Sequence, residues 1–435
     1  MRVLIIGGGG REHALAWKLK REDPTLDLLA APGNPGIAEL GECVPVAATD
    51  LDGLERLADE RDVDFTVVGP EAPLAAGIVD RFRPAGRPIF GPTRAAAEIE
   101  TSKAFAKRLM LGAGIPTARA EVHTEPRDAK AAARRFGAPV VIKASGLAAG
   151  KGVVVCTSLE DAERTIDDML AGNMFGDAGH EVLVEEFMAG EELSMFVITD
   201  GRSYVALPGL QDHKRLLDGD RGPNTGGMGA YVPVSTDPSV IEQARSRIIA
   251  PTLDALAARG SPFTGLLYAG LMVTTDGPKV VEFNCRFGDP ETQALMPALG
   301  SWPLLPLLRA VARGERLTGF SAPSIDVACV TTVLAAAGYP DTPRTGDVIT
   351  LPPAEDDVVV FHAGTKRDAQ GRLVTAGGRV LAVSAVAPTV GEAQRRSLAH
   401  ARRIGFAGKQ LRSDIGWREV RRGSEQRTGA GATRD

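Results

Sequence analysis

No stretch of this 435-residue chain approaches the ~18 consecutive apolar residues that a membrane-spanning helix needs, although 44% of it is hydrophobic. A membrane role is not expected. Only four apolar residues separate Met1-Arg2 from Gly7, too few for the apolar core of a secretory signal, so the expected place of work is the cytoplasm. Cysteine is scarce: Cys43, Cys156, Cys285 and Cys329 form no close-spaced pair. That argues against a disulfide framework and a zinc knuckle, and all four should be reduced. Excess basic charge is missing as well, since the net charge is -5, which leaves no footprint for nucleic acid. The Arg-, Gly- and Ser-rich end, residues 421–435, reads as disordered. No internal repeat is visible.

The chain is longer than the ~250 residues at which single cores stop growing, so two to four domains are expected. Val3 to Ile6 reads as a buried strand, Gly7 to Gly10 as a tight turn and Arg11 to Lys20 as a helix with Ala14, Leu15 and Leu19 on its apolar face. Phe65 to Val68 and Ile89-Phe90 are further apolar strands that run into Gly-Pro loops, which suggests parallel strands ending on one edge. Residues 1–101 therefore read as a Rossmann-like α/β domain. Ser102 can cap a helix to about Leu111. Apolar β-rich runs between Pro139 and Val155 and from Glu181 to Glu186 suggest a small antiparallel lobe, about 117–190, inside a domain spanning 102–320. In the larger lobe, Leu266 to Val273 and Lys279 to Phe283 form a hairpin about Asp276-Gly277. After a linker at Ser321 to Asp326, residues 326–420 make a mixed domain with a helix near Val390 to Arg403. The fold class is α/β and α+β, multidomain.

Gly7-Gly8-Gly9-Gly10 places bare backbone N–H groups at a helix N-terminus, a site suited to an anion such as phosphate. It is not a dinucleotide fingerprint, because the third glycine of G-x-G-x-x-G falls on Glu12. A tight turn that binds nothing reads equally well. Lys143 to Val153, with Gly146, Gly150, Lys151 and Gly152, is a glycine loop with a lysine at its start and another near its end. Such a loop can close over a triphosphate, the amides and cations neutralising its charge. It is not a Walker A motif, which would need glycine at Lys151. Glu282 and Asn284, two apart on a strand, project to one face, the hard-oxygen chemistry that magnesium prefers. Arg286 and then Asp289-Pro290-Glu291-Thr292 continue that polar cluster. Gln211 to Arg215 is a charged patch, and Gly222 to Gly229 is either a flexible linker or backbone laid against a ligand. His213, a lone histidine in a charged loop, is expected to be solvated and is not taken as the acid-base group.

These segments together resemble the phosphoribosylamine-glycine ligase family, also called glycinamide ribonucleotide synthetases, within the ATP-grasp superfamily. The likeness runs through Ile6 to His13, Pro32 to Gly36, Val68 to Leu74, Lys143 to Val155, Gln211 to Arg215, Gly222 to Tyr231, Glu282 to Thr292 and Phe361 to Lys366. It implies a Rossmann-like N-terminal domain, a two-lobed ATP-grasp domain and a small mixed C-terminal domain. It implies that ATP is held by Lys103, Lys143, Gly146, Gly150, Lys151 and Gly152, with Glu185, Glu186 and Phe187 at the adenine edge and Glu192 on the ribose. Glu282 and Asn284 would hold Mg²⁺ or Mn²⁺. Lys143, Arg286 and Asp212 are the catalytic candidates. Gly9, Gly10, Asn34, Glu71, Arg286, Asp289, Pro290, Lys366 and Arg379 are the candidates for the other substrates, glycine and 5-phosphoribosylamine. The implied reaction runs through glycyl phosphate, by a monomer in transient contact with other purine-pathway enzymes. Two positions depart from the family pattern: Gly270 stands where many ATP-grasp enzymes carry another acidic metal ligand, and Leu411 to Gly416 lacks an aromatic residue before Arg412, a difference expected to touch only the far C-terminal end.

The nearest rival is another ATP-grasp ligase or carboxylase of purine synthesis, separable by which substrates release ADP. A nicotinamide-dependent oxidoreductase is opposed by Glu12. A non-catalytic ATP-binding regulator would bind ATP without releasing phosphate.

Overall fold

The computed structural model describes residues 1–146, 152–171 and 180–431, the last six of these in backbone only. The first strand, Arg2–Gly7, sits at the centre of a five-stranded parallel sheet. Asp27–Pro32 and Glu42–Cys43 lie on one side of it, and Phe65–Val68 and Ile89–Phe90 on the other. Alternation along the central strand divides the sheet's two faces: Val3 and Ile5 enter one core, Leu4 and Ile6 the other. Both faces are covered, as parallel sheets require. One cover is not local in sequence, because Leu304, Leu305 and Leu308 from the helix Leu304–Ala312 share a core with Val3, Phe65 and Val67.

The small lobe is a four-stranded antiparallel sheet in the order Ala120–His123, Val182–Glu186, Val140–Ala144, Val153–Cys156. Ala129, Ala132, Ala162 and Ile166 from two helices cover it. The larger lobe is built on Glu191–Thr199, Gly265–Thr274 and Gly277–Asn284. Between the last two of these strands Gly270 faces Glu282 while Leu271 faces Val280, which leaves Val281 unpaired as a β-bulge. The bulge switches the alternation. Val280 and Phe283 both reach the core although they are an odd number apart, and Glu282 and Asn284 are turned to the opposite side.

The third sheet departs from the domain division expected from sequence. Its order is Gln211–Asp212, Gly229–Val232, Ala328–Ala335, Arg379–Ala387, Val358–His362. Two strands from inside 102–320 thus belong to the sheet of the last domain. Their shortness hides them in the sequence, and their pairing partner lies about a hundred residues on. The tail also differs: Trp417–Gly431 is a helix, so residues 421–431, eleven of those expected to be disordered, continue it. Arg422 pairs with Glu191 and Glu419 accepts from Ser235, and these contacts supply the order that composition does not predict. Residues 432–435 lie outside the described residues.

The first and last domains meet at two histidines. His13 Nδ1 accepts the backbone N–H of His362 at 2.8 Å, and both rings are buried. Burial, with the neighbouring His362 adding to it, lowers His13 from 6.5 to about 3, and burial followed by Arg367 lowers His362 to about 4. The unfolded chain takes up these protons near pH 6.5 and the folded one does not. Stability is therefore complete above that value and falls as pH drops below it. Between pH 7 and pH 5 His13 alone should cost about 2 kcal/mol. Thermal melts across that range measure the slope, and His13→Gln, whose amide oxygen can accept the same N–H, should flatten it.

Candidate active site

A cavity of about 860 Å³ opens between the two lobes of the central domain and reaches the N-terminal domain and the last one. Lys103, Lys107, Lys143, Lys214, Arg286 and Arg379 bring six cationic side chains to its wall, and Glu71, Glu100, Glu185, Glu192, Asp212, Glu282, Asp289 and Glu291 bring carboxylates. Ser102 caps the helix Lys103–Gly112 by accepting the N–H of Phe105 at 3.1 Å. This presents Lys103, at the first helical position, to the cavity, where its ammonium donates to the Gly146 carbonyl at 3.1 Å. Burial lowers the Lys103 pKa, and Lys143 adds to the fall against the pull of Glu282.

Lys143 lies on an inner strand of the small lobe and bridges the lobes. Its ammonium meets Glu185 at 2.7 Å and the Val281 carbonyl, exposed by the bulge, at 3.0 Å. Glu185 also pairs with Lys107 at 3.0 Å. Burial opposes its charge, but Lys143 and Lys107 outweigh burial and hold the carboxyl below the ordinary range. The side chain expected at the adenine edge is therefore engaged with two lysines, and Glu186 is engaged with Arg119. Phe187 is largely exposed at the cavity rim. Lys107 escaped the sequence reading because a lysine on an amphipathic helix normally faces water. Its only local signal is its place one turn after Lys103.

Glu282 lines the cavity opposite these lysines. Burial works against its ionisation, and Lys214, Lys143, Lys103 and Arg286 together overcome it and keep the carboxyl below its usual value. The Asn284 amide oxygen accepts from Arg286 at 3.1 Å and keeps a second lone pair. An ionised carboxylate beside an amide oxygen is a donor pair that fits a hard divalent cation. Among the described residues no group of three or more His, Cys, Asp or Glu side chains gathers as a metal site, so the remaining ligands would be phosphate oxygens and water. At Gly270 a side chain would begin 3.4 Å from Glu282 Cγ, and glycine leaves that space open.

Arg286 joins the N-terminal domain to the site, pairing with Glu100 at 3.0 Å and Glu71 at 3.3 Å. Asp212 and Lys214 enter from the sheet of the last domain. Lys214 meets Glu192 at 2.6 Å. Burial pushes the Asp212 carboxyl up to about 8, Lys214 pulling it down and Glu291, Glu192 and Glu282 adding to the rise. Its Oδ1 has no hydrogen-bond partner among the described residues.

Several expected substrate groups do other work. The Gly9 N–H, expected to face an anion, donates to Glu12 at 2.6 Å. A Cβ at Gly10 would lie 2.5 Å from the amide end of Gln293, so that glycine packs on a protein side chain. Neither lines the cavity. Asn34 is fully committed, donating to the Gly8 and His362 carbonyls at 2.9 Å and accepting from Gly36 and Ile37. It is a joint between domains. Lys366 is exposed on the strand Thr365–Arg367 and does not reach the cavity. Arg379 does, and it donates to the carbonyls of Gly226 and Asp289, the latter at 2.6 Å, with the Asp289 carboxylate 3.4 Å away. Gly227 packs on Pro290, where a Cβ would come within 2.5 Å of the ring. The glycine-rich loop is thus seated on protein and is no free linker. His213 is buried, not solvated: its Nε2 accepts the Gly416 N–H at 2.8 Å. Gly152 lines the cavity, while Gly150 and Lys151 lie outside the described residues.

A nucleotide-sized cleft between an antiparallel small lobe and a larger one, flanked by a parallel-sheet domain and a further sheet, defines the ATP-grasp class of ligases. Family models for phosphoribosylglycinamide synthetase match the N domain over residues 1–100, the ATP-grasp (A) domain over 101–292 and the C domain over 329–418. The chain is 52% identical over 425 residues to the phosphoribosylamine-glycine ligase of Ralstonia nicotianae, which covers 97% of this chain and 100% of the relative. The crystal structure of phosphoribosylamine-glycine ligase from Thermotoga maritima superposes with a TM-score of 0.84 at 36% identity, covering 95% of this chain and 100% of that one. The biotin carboxylase domain of 2-oxoglutarate carboxylase from Hydrogenobacter thermophilus is similar at 18% identity and a TM-score of 0.72, covering 94% and 91%, a likeness of fold alone. The chain belongs to the phosphoribosylamine-glycine ligase family. No helix among the described residues is long and apolar enough to cross a membrane.

Proposed function

We propose that this chain joins glycine to 5-phosphoribosylamine in purine synthesis, consuming ATP and releasing ADP and phosphate. The observation that carries the proposal is the convergence of Lys103, Lys143, Lys214 and Arg286 with Glu282 and Asn284 on one cavity. That set suits phosphoryl transfer, which asks a protein mainly for positioning and charge neutralisation. A glycine carboxylate oxygen attacks the γ-phosphorus, the bond to the β-bridging oxygen breaks, and ADP leaves. The phosphoribosylamine nitrogen then attacks the acyl carbon of glycyl phosphate, and phosphate departs with the former carboxylate oxygen. Lys143 and Arg286 face the charge that grows on the transferring group, and Asp212, in its ionised form and with an unpartnered oxygen, takes the proton the amine loses. Glu282 and Asn284 would hold Mg²⁺ or Mn²⁺, which supplies positive charge to the phosphate oxygens.

For the amine substrate, Glu71 is the group placed for ribose hydroxyls, and Arg379 beside Asp289 and Pro290 is the phosphate-side cation. Glu192 serves the ATP ribose. The enzyme works as a cytoplasmic monomer, in transient contact with other enzymes of the pathway.

ADP release, measured with each substrate omitted in turn, tests the assignment. Turnover should require glycine and phosphoribosylamine together. Replacement of glycine by bicarbonate or formate with undiminished ADP release would move the chain to another ATP-grasp reaction.

A further inference from the structure

Asp212 and Lys214 owe their place in the cavity to a segment nearly two hundred residues further along. The short strand Gln211–Asp212 continues through Lys214 into a hairpin, Arg215–Leu217 with Arg221–Asn224. Asp212 and Lys214 line the cavity, and the ring of His213 between them is buried against the Gly416 backbone. From there the hairpin meets residues 412–418, and Asp220 and Arg418 of that contact also reach the cavity rim. Arg412, fully buried, donates to the Arg215 carbonyl at 3.2 Å and to Asp220 at 2.9 Å, and it meets Asp414 through Nε and Nη2 at 2.8 and 2.9 Å. Asp414 in turn accepts the Gly219 N–H at 2.8 Å, the Ser413 N–H donates to Asp218 at 2.8 Å, and Arg418 meets Asp220 at 2.7 Å. The Gly416 N–H donates to His213. Base and tip of the hairpin are therefore both gripped. Within the hairpin, the Lys214 carbonyl accepts from the backbone and hydroxyl of Thr225, each at 2.8 Å, so a shift of either strand is passed to Lys214.

Elsewhere the hairpin is poorly anchored. Its residues 217 to 223 are mostly exposed, and none of them belongs to a core cluster. Among the described residues, the contacts that hold the tip from outside its own two strands come from 412–418 and from His213, whose Nδ1 lies 3.6 Å from Asp220. A buried guanidinium that pairs with two carboxylates has a fixed planar geometry, which sets position more tightly than apolar packing would.

We propose that Arg412 and Asp414 are positioning residues for the ligase reaction, acting as a latch from the end of the last domain that holds the 211–224 hairpin so that Asp212 and Lys214 face the reacting groups. The latch rests on the function proposed above for that cavity. It also gives the Leu411 to Gly416 segment a part in the active site, where the sequence suggested an effect on the far C-terminal end alone.

Asp414→Asn in the full chain is the decisive variant, because Asp414 is partly exposed and the amide keeps its shape. Arg412→Met is the severe companion, and it leaves Asp220 and Asp414 without their shared cation. For Asp414→Asn, kcat should fall about tenfold while KM for ATP changes by a smaller factor, since Lys103, Lys143 and residues 185–187 lie on elements the latch does not touch and only Glu192, paired with Lys214, is shared. Hydrogen exchange should rise in 211–226 and 411–418 and stay unchanged through 328–400. Combined with Asp212→Asn and Lys214→Met together, Asp414→Asn should add little further loss, because it acts through those two groups. Multiplicative losses would overturn the latch, as would unchanged kcat with a freely exchanging hairpin, or exchange that rises throughout the last domain. Wild-type protein that releases no ADP with glycine and phosphoribosylamine would instead refute the reaction, and the exchange pattern would then judge the latch alone.

Discussion

Glu282→Gln should lower turnover by two or more orders of magnitude, with little change in melting temperature and no rise in KM for ATP. The amide keeps the length and shape of the side chain, so the bulged strand that carries it has no reason to move. What disappears is one negative charge among Lys214, Lys143, Lys103 and Arg286. The ATP phosphates then meet a more positive cavity and should bind at least as well. A divalent cation held there, as proposed, would however lose its full-charge carboxylate ligand, and with it charge that offsets the γ-phosphate oxygens during attack. Binding kept and turnover lost is the pattern of an interaction made chiefly in the transition state. Steady-state kinetics in saturating magnesium beside thermal melts measure both halves. Near-normal turnover there would remove Glu282 from the metal site.

Glu282 also marks the limit of what the sequence discloses. Its pairing with Asn284 on one face was legible from a period of two. The bulge at Val281 was not, and without it Val280 could not be in the core while Glu282 faces the cavity. The elements that were readable are those fixed by near neighbours: the central parallel strands, the capped helix at Ser102, the hairpin around Asp276 and the helix Val390–Arg403. The unreadable ones depend on partners far away in the chain. Gln211–Asp212 is two residues long and is a strand only because Gly229–Val232 and Ala328–Ala335 complete its sheet. Lys107 is in the site because Glu185, on another lobe, faces it. The opposite error has the same origin. Lys366 and Asn34 stand in segments that resemble the family's, but one side chain faces solvent and the other holds two domains together. Resemblance locates a segment, and only the fold says which way each side chain in it points.

Arg286→Met should both destabilise the protein and abolish turnover, and the two effects should be separable. Arg286 is the one cation that pairs with Glu71 and Glu100 among the described residues, and Glu100, nearly buried, also accepts the Cys285 N–H at 2.7 Å. Burial disfavours the guanidinium, but Glu100 and Glu71 more than compensate and keep it charged. Methionine fills much of the same space without charge. Two carboxylates would then face each other at the junction of the first and central domains with no partner between them. Removing one member of a buried charge network typically costs roughly 3–5 kcal/mol, mostly because of the charge left behind. Neutralising Glu71 as well should therefore return a large part of that loss, so Arg286→Met with Glu71→Gln should be more stable than Arg286→Met alone. Catalysis should not return with it, because the positive charge proposed to face the transferring phosphoryl group is absent in both proteins. Denaturant unfolding and ADP release on the same preparations decide the matter. If the double variant regained turnover together with stability, Arg286 would be a structural cation and the charge at the phosphoryl group would have to come from Lys143 alone.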